Sequence, residues 1–341
     1  MPATAIDIGT YAIKAIAADP DGTPNILRTI EIPNNFGVAM PTDDLQTEQL
    51  SELINNTIFE NKLPHTDIRL SLPETAVSTK VITIPFLTDA ELASAIGWQA
   101  EQHIPIPKEE LSLQYKVLYR PPKSSLSQKN NEQAQMRVLL TGTRKPLVER
   151  YLALFTNAGI EPSFLETQML SVLRSLGIDQ QEPATMVINL GATNMDIMVV
   201  ANGEIQFVFT HKGVGNLLTN TLQQTVGLDL QQAEQYKRAY GLNADQFEGK
   251  VKNALLPTIN NLAGEIQKAL RYFADQAPQN TIQRLVLTGG SAQLPGLVEH
   301  LTSTLNLEIL LAAPFATATG EIPTQNQLAF SVCMGLLMRE A

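Results

Sequence analysis

The sequence predicts an α/β protein built from two similar domains, with a smaller α+β unit inserted into the first. The main observation is a repeat, because Ile6-Asp7-Ile8-Gly9-Thr10-Tyr11 returns 182 residues later as Ile188-Asn189-Leu190-Gly191-Ala192-Thr193. Each copy is an apolar strand, a glycine turn and a second apolar run that ends at Asp21-Gly22 or Asn202-Gly203, dipeptides typical of hairpin turns. A length of 341 residues allows two domains, and 44% hydrophobic residues indicate a globular chain.

The first domain continues in the order typical of half an α/β domain. After the hairpin we expect a third strand at residues 26–32, a helix at 47–62 and a returning strand at 67–72. A different unit then begins near Ser78, with predicted strands at 80–85, 113–119 and 136–142.

Two helices are predicted within this inserted unit. Thr88 and Glu91 have the spacing of a capping box, so the first helix begins there and ends before Pro105. The second helix begins at Pro146 and is capped at its end by Gly159. The polar residues 120–135 cannot bury a core, and we expect them to form an exposed, mobile loop.

The second hairpin copy, at residues 186–200, opens the second domain. Gly213 and Gly215 form a glycine turn before a helix. The remaining elements are predicted as strands at 204–210, 284–287 and 307–311, and as helices at 167–176, 217–226, 230–240, 250–276, 297–305 and 327–340. The predicted domains are 1–77 (completed by about 159–182 and 320–341), the insertion at 78–158, a second domain at 183–229 and 280–319, and a helical subdomain at 230–279.

Composition excludes several classes of function. The net charge of −10 disfavours binding to nucleic acid and to anionic membranes. The only cysteine, Cys333, lies in an apolar run, so no disulfide framework exists and a reducing cytoplasm is expected. We expect no signal peptide and no membrane insertion, because the N-terminus lacks a basic region and the apolar runs are too short to span a bilayer.

These motifs, in this order, resemble the actin-like ATPase superfamily, with its duplicated ribonuclease H-like fold, and within it the PilM family of type IV pilus assembly proteins. Asp7-Ile8-Gly9-Thr10 with Lys14 is similar to the first phosphate motif, and Leu190-Gly191-Ala192-Thr193 to the second. Leu287-Thr288-Gly289-Gly290-Ser291 is similar to the adenosine motif. The insertion lies where PilM and the cell-division protein FtsA carry an extra subdomain, and residues 329–335 resemble the helix that connects the two domains.

The resemblance implies that ATP or ADP binds between the domains, and it assigns roles to residues of this chain. Asp7 would hold Mg²⁺ through water, and Lys14 would place a positive charge near the phosphates. Glu265 and Lys268 match paired charged positions that flank the ribose. The full set of expected nucleotide-binding residues is Gly9, Thr10, Tyr11, Lys14, Gly191, Ala192, Thr193, Asn194, Gly213, Gly215, Glu265, Lys268, Gly289, Gly290 and Ser291.

Ordinary structural interpretations stand beside these roles. Asp7 would then be a solvated turn carboxylate and Lys14 an exposed side chain. Glu265 and Lys268 are three residues apart, so they also fit a surface ion pair on a helix. Gly289 and Gly290 also fit a turn that leads into a helix.

The second phosphate motif departs from the family at Asn189, where an aspartate is expected. An amide cannot act as a base and neutralises no metal charge, so we expect nucleotide binding with very slow hydrolysis at most. Asp196, on the following strand, would compensate if its side chain reaches the site, and the sequence leaves this open.

The resemblance implies a cytoplasmic ATP-binding scaffold of the pilus platform that takes part in twitching motility. It would bind the N-terminal cytoplasmic peptide of the inner-membrane protein PilN and other platform components, with strand 80–86 and helix 92–99 as groove walls. Two alternatives are an FtsA-like filament anchor and a small-molecule kinase of the same superfamily. The basic amphipathic tail that is usual in FtsA is not expected here, and Asn189 disfavours a kinase.

Overall fold

The computed structural model describes residues 1–122, 134–243, 247–277 and 280–339. Its strands are β1 (Ala3–Ile8), β2 (Ala12–Asp19), β3 (Asn25–Pro33), β4 (Ile68–Leu72), β5 (Val77–Pro85), β6 (Leu111–Tyr119), β7 (Gln135–Arg144), β8 (Pro162–Thr167), β9 (Thr185–Leu190), β10 (Asn194–Ala201), β11 (Glu204–Lys212), β12 (Arg284–Thr288), β13 (Glu308–Leu311) and β14 (Thr319–Gly320). Its helices are α1 (Asp44–Glu60), α2 (Asp89–His103), α3 (Lys145–Thr156), α4 (Gln168–Leu176), α5 (Gly215–Val226), α6 (Leu230–Tyr240), α7 (Lys250–Gln276), α8 (Leu297–Leu305) and α9 (Ser331–Leu337).

Apart from the two-residue edge strand β14, the two large sheets have the same topology, which confirms the predicted duplication. Their strand orders are β14-β3-β2-β1-β4-β8 and β11-β10-β9-β12-β13. In each sheet three antiparallel strands are followed by two strands parallel to the first. A shift in strand register also recurs in the two sheets. It lies between Ala17 and Ala18 of β2 in one sheet and between Val199 and Val200 of β10 in the other.

The hairpin dipeptides adopt the positive φ angles that they predict. Gly22 has φ 75°, and in the second copy both Asn202 (55°) and Gly203 (71°) are positive. Two consecutive positive φ angles are the signature of a type I′ turn, whose twist matches that of the flanking strands.

The insertion is a three-stranded sheet, ordered β5-β7-β6, with α2 on one face. Leu92, Ile96 and Ala100 of α2 are buried against the sheet. The predicted capping box is present, because Thr88 and Glu91 each accept from the other's backbone N–H. Gly159 takes φ 73° after α3, as predicted for a cap glycine. The predicted mobile loop falls largely on residues 123–133, outside the described residues.

Helix α9 connects the two halves of the molecule, and all seven of its residues are buried. It packs with α4 and with one face of both large sheets in a shared apolar cluster. A Cβ at Gly335 would overlap the carbonyl oxygen of Ser171, so the two helices cross in close contact. The Arg69 Nη1 donates to the carbonyl oxygens of Leu336 and Leu337 at 3.2 and 2.9 Å, which satisfies the helix end.

Three elements differ from prediction. The single helix expected at 327–340 is a 3₁₀ turn at Gln327–Phe330 followed by α9. The reason is that the Leu328 carbonyl accepts from Thr288 Oγ1 at 3.1 Å and from Gly289 N at 3.2 Å, which draws it out of the helical ladder. Strands β8 and β14 were not predicted. Strand β8 lies at a sheet edge, where its initial proline is tolerated but the sequence pattern is weak.

Among the described helices, none combines the length and the apolar character that crossing a bilayer requires.

Candidate functional site

The two glycine turns face each other across a cleft with a volume of about 1150 Å³. Thr10 Oγ1 lies 3.2 Å from Thr193 Oγ1, so the turns of the two domains touch at the base of the cleft. Most of the residues predicted for the site line this cleft: Asp7, Gly9, Thr10, Tyr11, Lys14, Gly191, Ala192, Thr193, Asn194, Gly215, Gly289, Gly290 and Ser291.

The turns leave backbone donors free on both sides of the cleft. Gly9 and Gly191 use their own N–H groups within the hairpins, donating to Ala12 O at 3.0 Å and Asn194 O at 2.9 Å. Within the part of the chain that the structure describes, the amides at positions 10, 11, 192 and 193 have no acceptor. Unpaired turn amides form a concavity that binds anions. The free donors in each turn are therefore the backbone N–H groups of the two residues that follow the glycine.

Asp7 is buried and fully engaged. Ser71 Oγ and Gln168 Nε2 each donate to its Oδ1 at 2.7 Å, and Lys14 Nζ lies 3.2 Å from Oδ2. Burial is the largest single effect and opposes the charge on Lys14, but attraction to Asp7, with further contributions from Cys333 and Glu31, exceeds it in sum and raises the pKa of Lys14. The solvent-exposed interpretations of Asp7 and Lys14 are therefore wrong.

The second domain presents a carboxylate from the neighbouring strand. Asp7 pairs with Lys14 across β1 and β2, and at the same place in the second sheet Asn189 pairs with Asp196 across β9 and β10. Asp196 lines the cleft and accepts from Thr210 Oγ1 at 2.9 Å and from Asn189 Nδ2 at 3.4 Å. Burial raises its pKa to about 6. Asp196 thus reaches the site, which the sequence left open.

Glu74 is a buried carboxyl near the cleft that sequence reasoning missed. Its Oε1 accepts from the backbone N–H of Met169 at 2.8 Å, in the first turn of α4. Burial, followed by the nearby Asp196, raises its pKa to about 8. Glu74 therefore fixes the end of α4 that presents Gln168 to Asp7. The isolated Glu in a proline-flanked segment gave no sequence signal of this role.

Gly213, Glu265 and Lys268 do not lie in the cleft, which corrects their prediction. They line a second cavity of about 420 Å³ beside it. Lys268 Nζ bonds Glu265 Oε1 at 2.7 Å, as in the ordinary ion-pair interpretation. Gly213 lies close by, and its N–H donates to Thr193 O at 2.6 Å.

The charged pair that does line the cleft is Glu234 and Lys237 of α6. Lys237 is buried and donates to Gly215 O at 3.2 Å and Thr219 Oγ1 at 2.8 Å, which fixes the start of α5. Both Glu-x-x-Lys pairs have the same spacing, so the sequence could have suggested either. Helix packing decides between them, because α7 directs Glu265 toward His211 and away from the cleft.

The loop after β12 closes one wall of the cleft. Gly289 has φ 85° and ψ 164°, a conformation almost restricted to glycine, and a Cβ there would lie 2.5 Å from Leu190 O. At Gly290 a Cβ would meet only the Cβ of Ala329, at 3.9 Å, which is an ordinary van der Waals distance. Ser291 Oγ donates to Gly191 O at 3.1 Å, which ties this loop to the second glycine turn.

A contact between the domains also spans the cleft. The Arg238 guanidinium of α6 lies 5.0 Å from the centroid of the Tyr11 ring on the opposite turn. Arg238 Nε also bonds Glu234 Oε1 at 2.7 Å, which holds it over the ring. Tyr11 therefore presents its aromatic face, not only its hydroxyl, to the cleft.

The predicted groove walls, strand 80–86 and helix 92–99, pack directly on each other. Ile82 and Ile84 share one buried cluster with Leu92 and Ile96. Together they form one wall, on the side of the insertion, and not two opposed walls.

Comparison with known proteins identifies the family. The profile described as PilM_2, Type IV pilus assembly protein PilM, matches residues 5–341. The fold is similar to the solved PilM-PilN type IV pilus biogenesis complex, with a TM-score of 0.82 and 23% identity over 98% of this chain and 97% of that chain. It is also similar to MreB5 of Spiroplasma citri bound to ADP, with a TM-score of 0.55 and 13% identity over 98% and 94% of the two chains.

A curated relative is cell division protein FtsA of Neisseria meningitidis serogroup B (strain ATCC BAA-335 / MC58). It is 24% identical over 156 residues, which cover 40% of this chain and 38% of FtsA. The match thus spans less than half the length of that relative. The family profile, by contrast, covers nearly the whole chain. The chain belongs to the type IV pilus assembly protein PilM family and has the actin-like fold that the resemblance of its motifs implies.

Proposed function

We propose that the chain is an ATP-binding scaffold of the type IV pilus inner-membrane assembly platform that binds the cytoplasmic N-terminal peptide of PilN. The observation that carries the nucleotide part is the pair of opposed glycine turns, whose free amides converge from both domains on one cleft. A related fold that holds ADP supports the same assignment.

The residues in the cleft fit a magnesium nucleotide. Amides at positions 10, 11, 192 and 193 would donate to phosphate oxygens, and Lys14 would add positive charge. Asp7 is held by three donors in the structure. A Mg²⁺ ion that keeps several waters and binds mainly to phosphate would contact this carboxylate through water. The charged pair on the ribose side would be Glu234 and Lys237.

The partner proposed is the short cytoplasmic segment of PilN, held between the first domain and the insertion. Such a peptide binds by main-chain pairing and a few apolar anchors. Among the described strands β5 is hydrogen-bonded to β7 alone, and it also lies close to β11 of the second domain. A peptide strand would be added at the edge of β5 that has no hydrogen-bonded neighbour. Through this peptide the protein would be held at the inner membrane from the cytoplasm, beside other platform components.

The nucleotide proposal is tested by a matched pair of variants. Glu234→Gln alters the Glu-x-x-Lys pair inside the cleft, whereas Glu265→Gln alters the pair of equal spacing outside it. We expect isothermal titration with Mg-ATP to show binding for wild type and Glu265→Gln and weaker binding for Glu234→Gln, with thermal unfolding to check that each variant is folded. Equal effects of the two variants, or no heat with wild type at millimolar ATP, would refute the assignment.

A synthetic N-terminal PilN peptide tests the partner, titrated with and without Mg-ATP. We expect saturable binding by the wild-type protein and none by a scrambled peptide. Filaments seen by electron microscopy without peptide binding would instead support the FtsA-like alternative. Phosphate transfer to a metabolite would support the kinase alternative, for which Asp196 now offers a carboxylate in the cleft.

A further inference from the structure

The inserted subdomain belongs to the first domain by its chain connections, yet it also contacts the second domain. Arg137 of β7 reaches the start of β11 with both of its terminal nitrogens. Nη1 bonds Glu204 Oε2 at 2.7 Å, and Nη2 donates to Ile205 O at 3.0 Å and Gln206 Oε1 at 2.8 Å. The Arg137 and Glu204 side chains are only 25% and 19% exposed, so this pair is more shielded than a surface ion pair.

The side chains of β7 point alternately to its two faces, which explains why this strand contacts both α2 and the second domain. Met136, Val138 and Leu140 point to α2 and are buried in the core of the subdomain. Residues two apart on a strand share a face, so Arg137 and Leu139 point to the other side. Leu139 is 1% exposed and lies in the same apolar cluster as Val200 and Ile205 of the second domain. The contact therefore has an apolar part beside the ion pair.

Strand β10 links this contact to the cleft. Its first residues, Asn194 and Asp196, line the cleft, and its last residues lead into the turn before Glu204. Eight residues of strand span roughly 26 Å. Because β10 is hydrogen-bonded on both sides, a change in the tilt of the second domain at the cleft moves Glu204 relative to Arg137.

We propose that Arg137 and Leu139, with Glu204, Ile205 and Gln206, form a latch that transmits nucleotide-dependent closure of the cleft to the inserted subdomain. The latch rests on the proposed function, because it links the proposed nucleotide cleft to the subdomain that carries the proposed peptide wall. Linkage is reciprocal, so a peptide that favours the latched arrangement raises the affinity for nucleotide by the same factor as nucleotide raises the affinity for peptide.

The chain offers a matched control on the same strand. Arg144 of β7 bonds Glu110 inside the subdomain and is not seen to contact the second domain within the described residues. Arg137→Gln therefore removes the ion pair and hydrogen bonds of the latch, whereas Arg144→Gln removes an ion pair of the same strand but leaves the latch in place. Glu204→Gln weakens the latch from the second domain.

Hydrogen–deuterium exchange of the full chain, with and without Mg-ATP, tests the latch. In wild type and Arg144→Gln we expect ATP to slow exchange at the cleft turns and also in β5 and β7. In Arg137→Gln and Glu204→Gln the cleft turns stay protected, but the ATP effect on β5 and β7 is strongly reduced, more in Arg137→Gln than in Glu204→Gln. ATP affinity falls about five-fold in Arg137→Gln, at the lower end of coupling between sites.

Two outcomes overturn the proposal in distinguishable ways. Protection of the cleft turns with an unchanged ATP effect on β5 and β7 in Arg137→Gln overturns the latch but leaves nucleotide binding standing. Absence of any ATP effect at the cleft turns of wild type overturns nucleotide binding, and the latch with it. If Arg137→Gln exchanges rapidly throughout the subdomain without ATP, Glu204→Gln decides, because it leaves β7 unaltered.

Discussion

Two buried carboxyl groups near the cleft, Glu74 and Asp196, make the stability of the protein depend on pH. Burial raises the pKa of both, to about 8 for Glu74 and about 6 for Asp196. A raised pKa means that the folded state holds its proton more tightly than the unfolded state. The stability from this protonation is present at low pH and is lost as pH rises through the folded-state pKa.

Glu74→Gln tests this at a single residue. Between about pH 6 and pH 8 Asp196 only completes its ionisation, whereas Glu74 goes from protonated to about half ionised, so Glu74 dominates the change. We expect the wild-type free energy of unfolding to fall by about 1–2 kcal/mol over this range, and the fall to be reduced in Glu74→Gln, whose amide oxygen still accepts from Met169. The measurement is urea denaturation at several pH values.

The control is Glu91→Gln at the exposed capping box. Its neighbours lower the pKa of Glu91, so this group stays ionised throughout the range. Glu91→Gln should therefore retain the wild-type slope with pH. An equal slope in wild type and Glu74→Gln would contradict the buried, protonated Glu74.

At the scale of residues, the sequence predicted both glycine turns of the cleft but not all of its charged side chains. Gly9 and Gly191 were evident because a repeat marks both. Glu234 and Lys237 were missed because Glu265 and Lys268 have identical spacing, and only tertiary packing separates the two pairs. The role of Glu74 depends on a contact with Met169, 95 residues away, which no local pattern encodes.

At the scale of elements, α9 and α4 cross in a contact so close that it requires glycine at one position. Gly335 lies where a Cβ would overlap the backbone of Ser171. Arg174 Nη1 also bonds Gly335 O at 2.5 Å, which fixes the distance between the helices. The crossing cannot widen freely, because α9 is buried on all sides.

Gly335→Ala should therefore destabilise the fold by about 3 kcal/mol or more, as overpacking against rigid backbone does. The matched control is Gly264→Ala in the middle of α7, where a Cβ meets no atom within 4 Å. There alanine should stabilise by about 0.5–1 kcal/mol through its helix propensity. Chemical denaturation of both variants decides, and similar values for the two would disprove the close crossing.

Elements with strong local signals were predicted well, and those that depend on long-range contacts were not. The capping box of α2 and the proline at the start of α3 fix helix starts by local bonds. The break before α9 arises because Thr288 and Gly289 of the other domain bond the Leu328 carbonyl. Sequence periodicity in 327–340 continues through this break, so it could not reveal it.

At the scale of the whole molecule, the proposed nucleotide binding depends on how the two domains approach each other across the cleft. The repeat predicts two similar domains, but the angle between them is set by contacts that no single segment contains. These contacts are the Thr10–Thr193 bond, the Tyr11–Arg238 pair, the packing of α9 and the Arg137 contact with β11. Opening the cleft breaks several of these contacts between the domains at once. Together they therefore oppose the release of a bound ligand.

The Tyr11–Arg238 pair lies at the edge of this cleft and gives a direct test of that resistance. A cation over an aromatic ring at a partly exposed site contributes about 0.5–1 kcal/mol, so its loss should speed the release of a fluorescent ATP analogue about two- to five-fold. Tyr11→Leu removes the ring, whereas Tyr11→Phe keeps it and removes only the hydroxyl. We expect stopped-flow measurement to show faster release from Tyr11→Leu and wild-type release from Tyr11→Phe. If Tyr11→Phe is as fast as Tyr11→Leu, the hydroxyl holds the nucleotide and the ring does not hold the domains together.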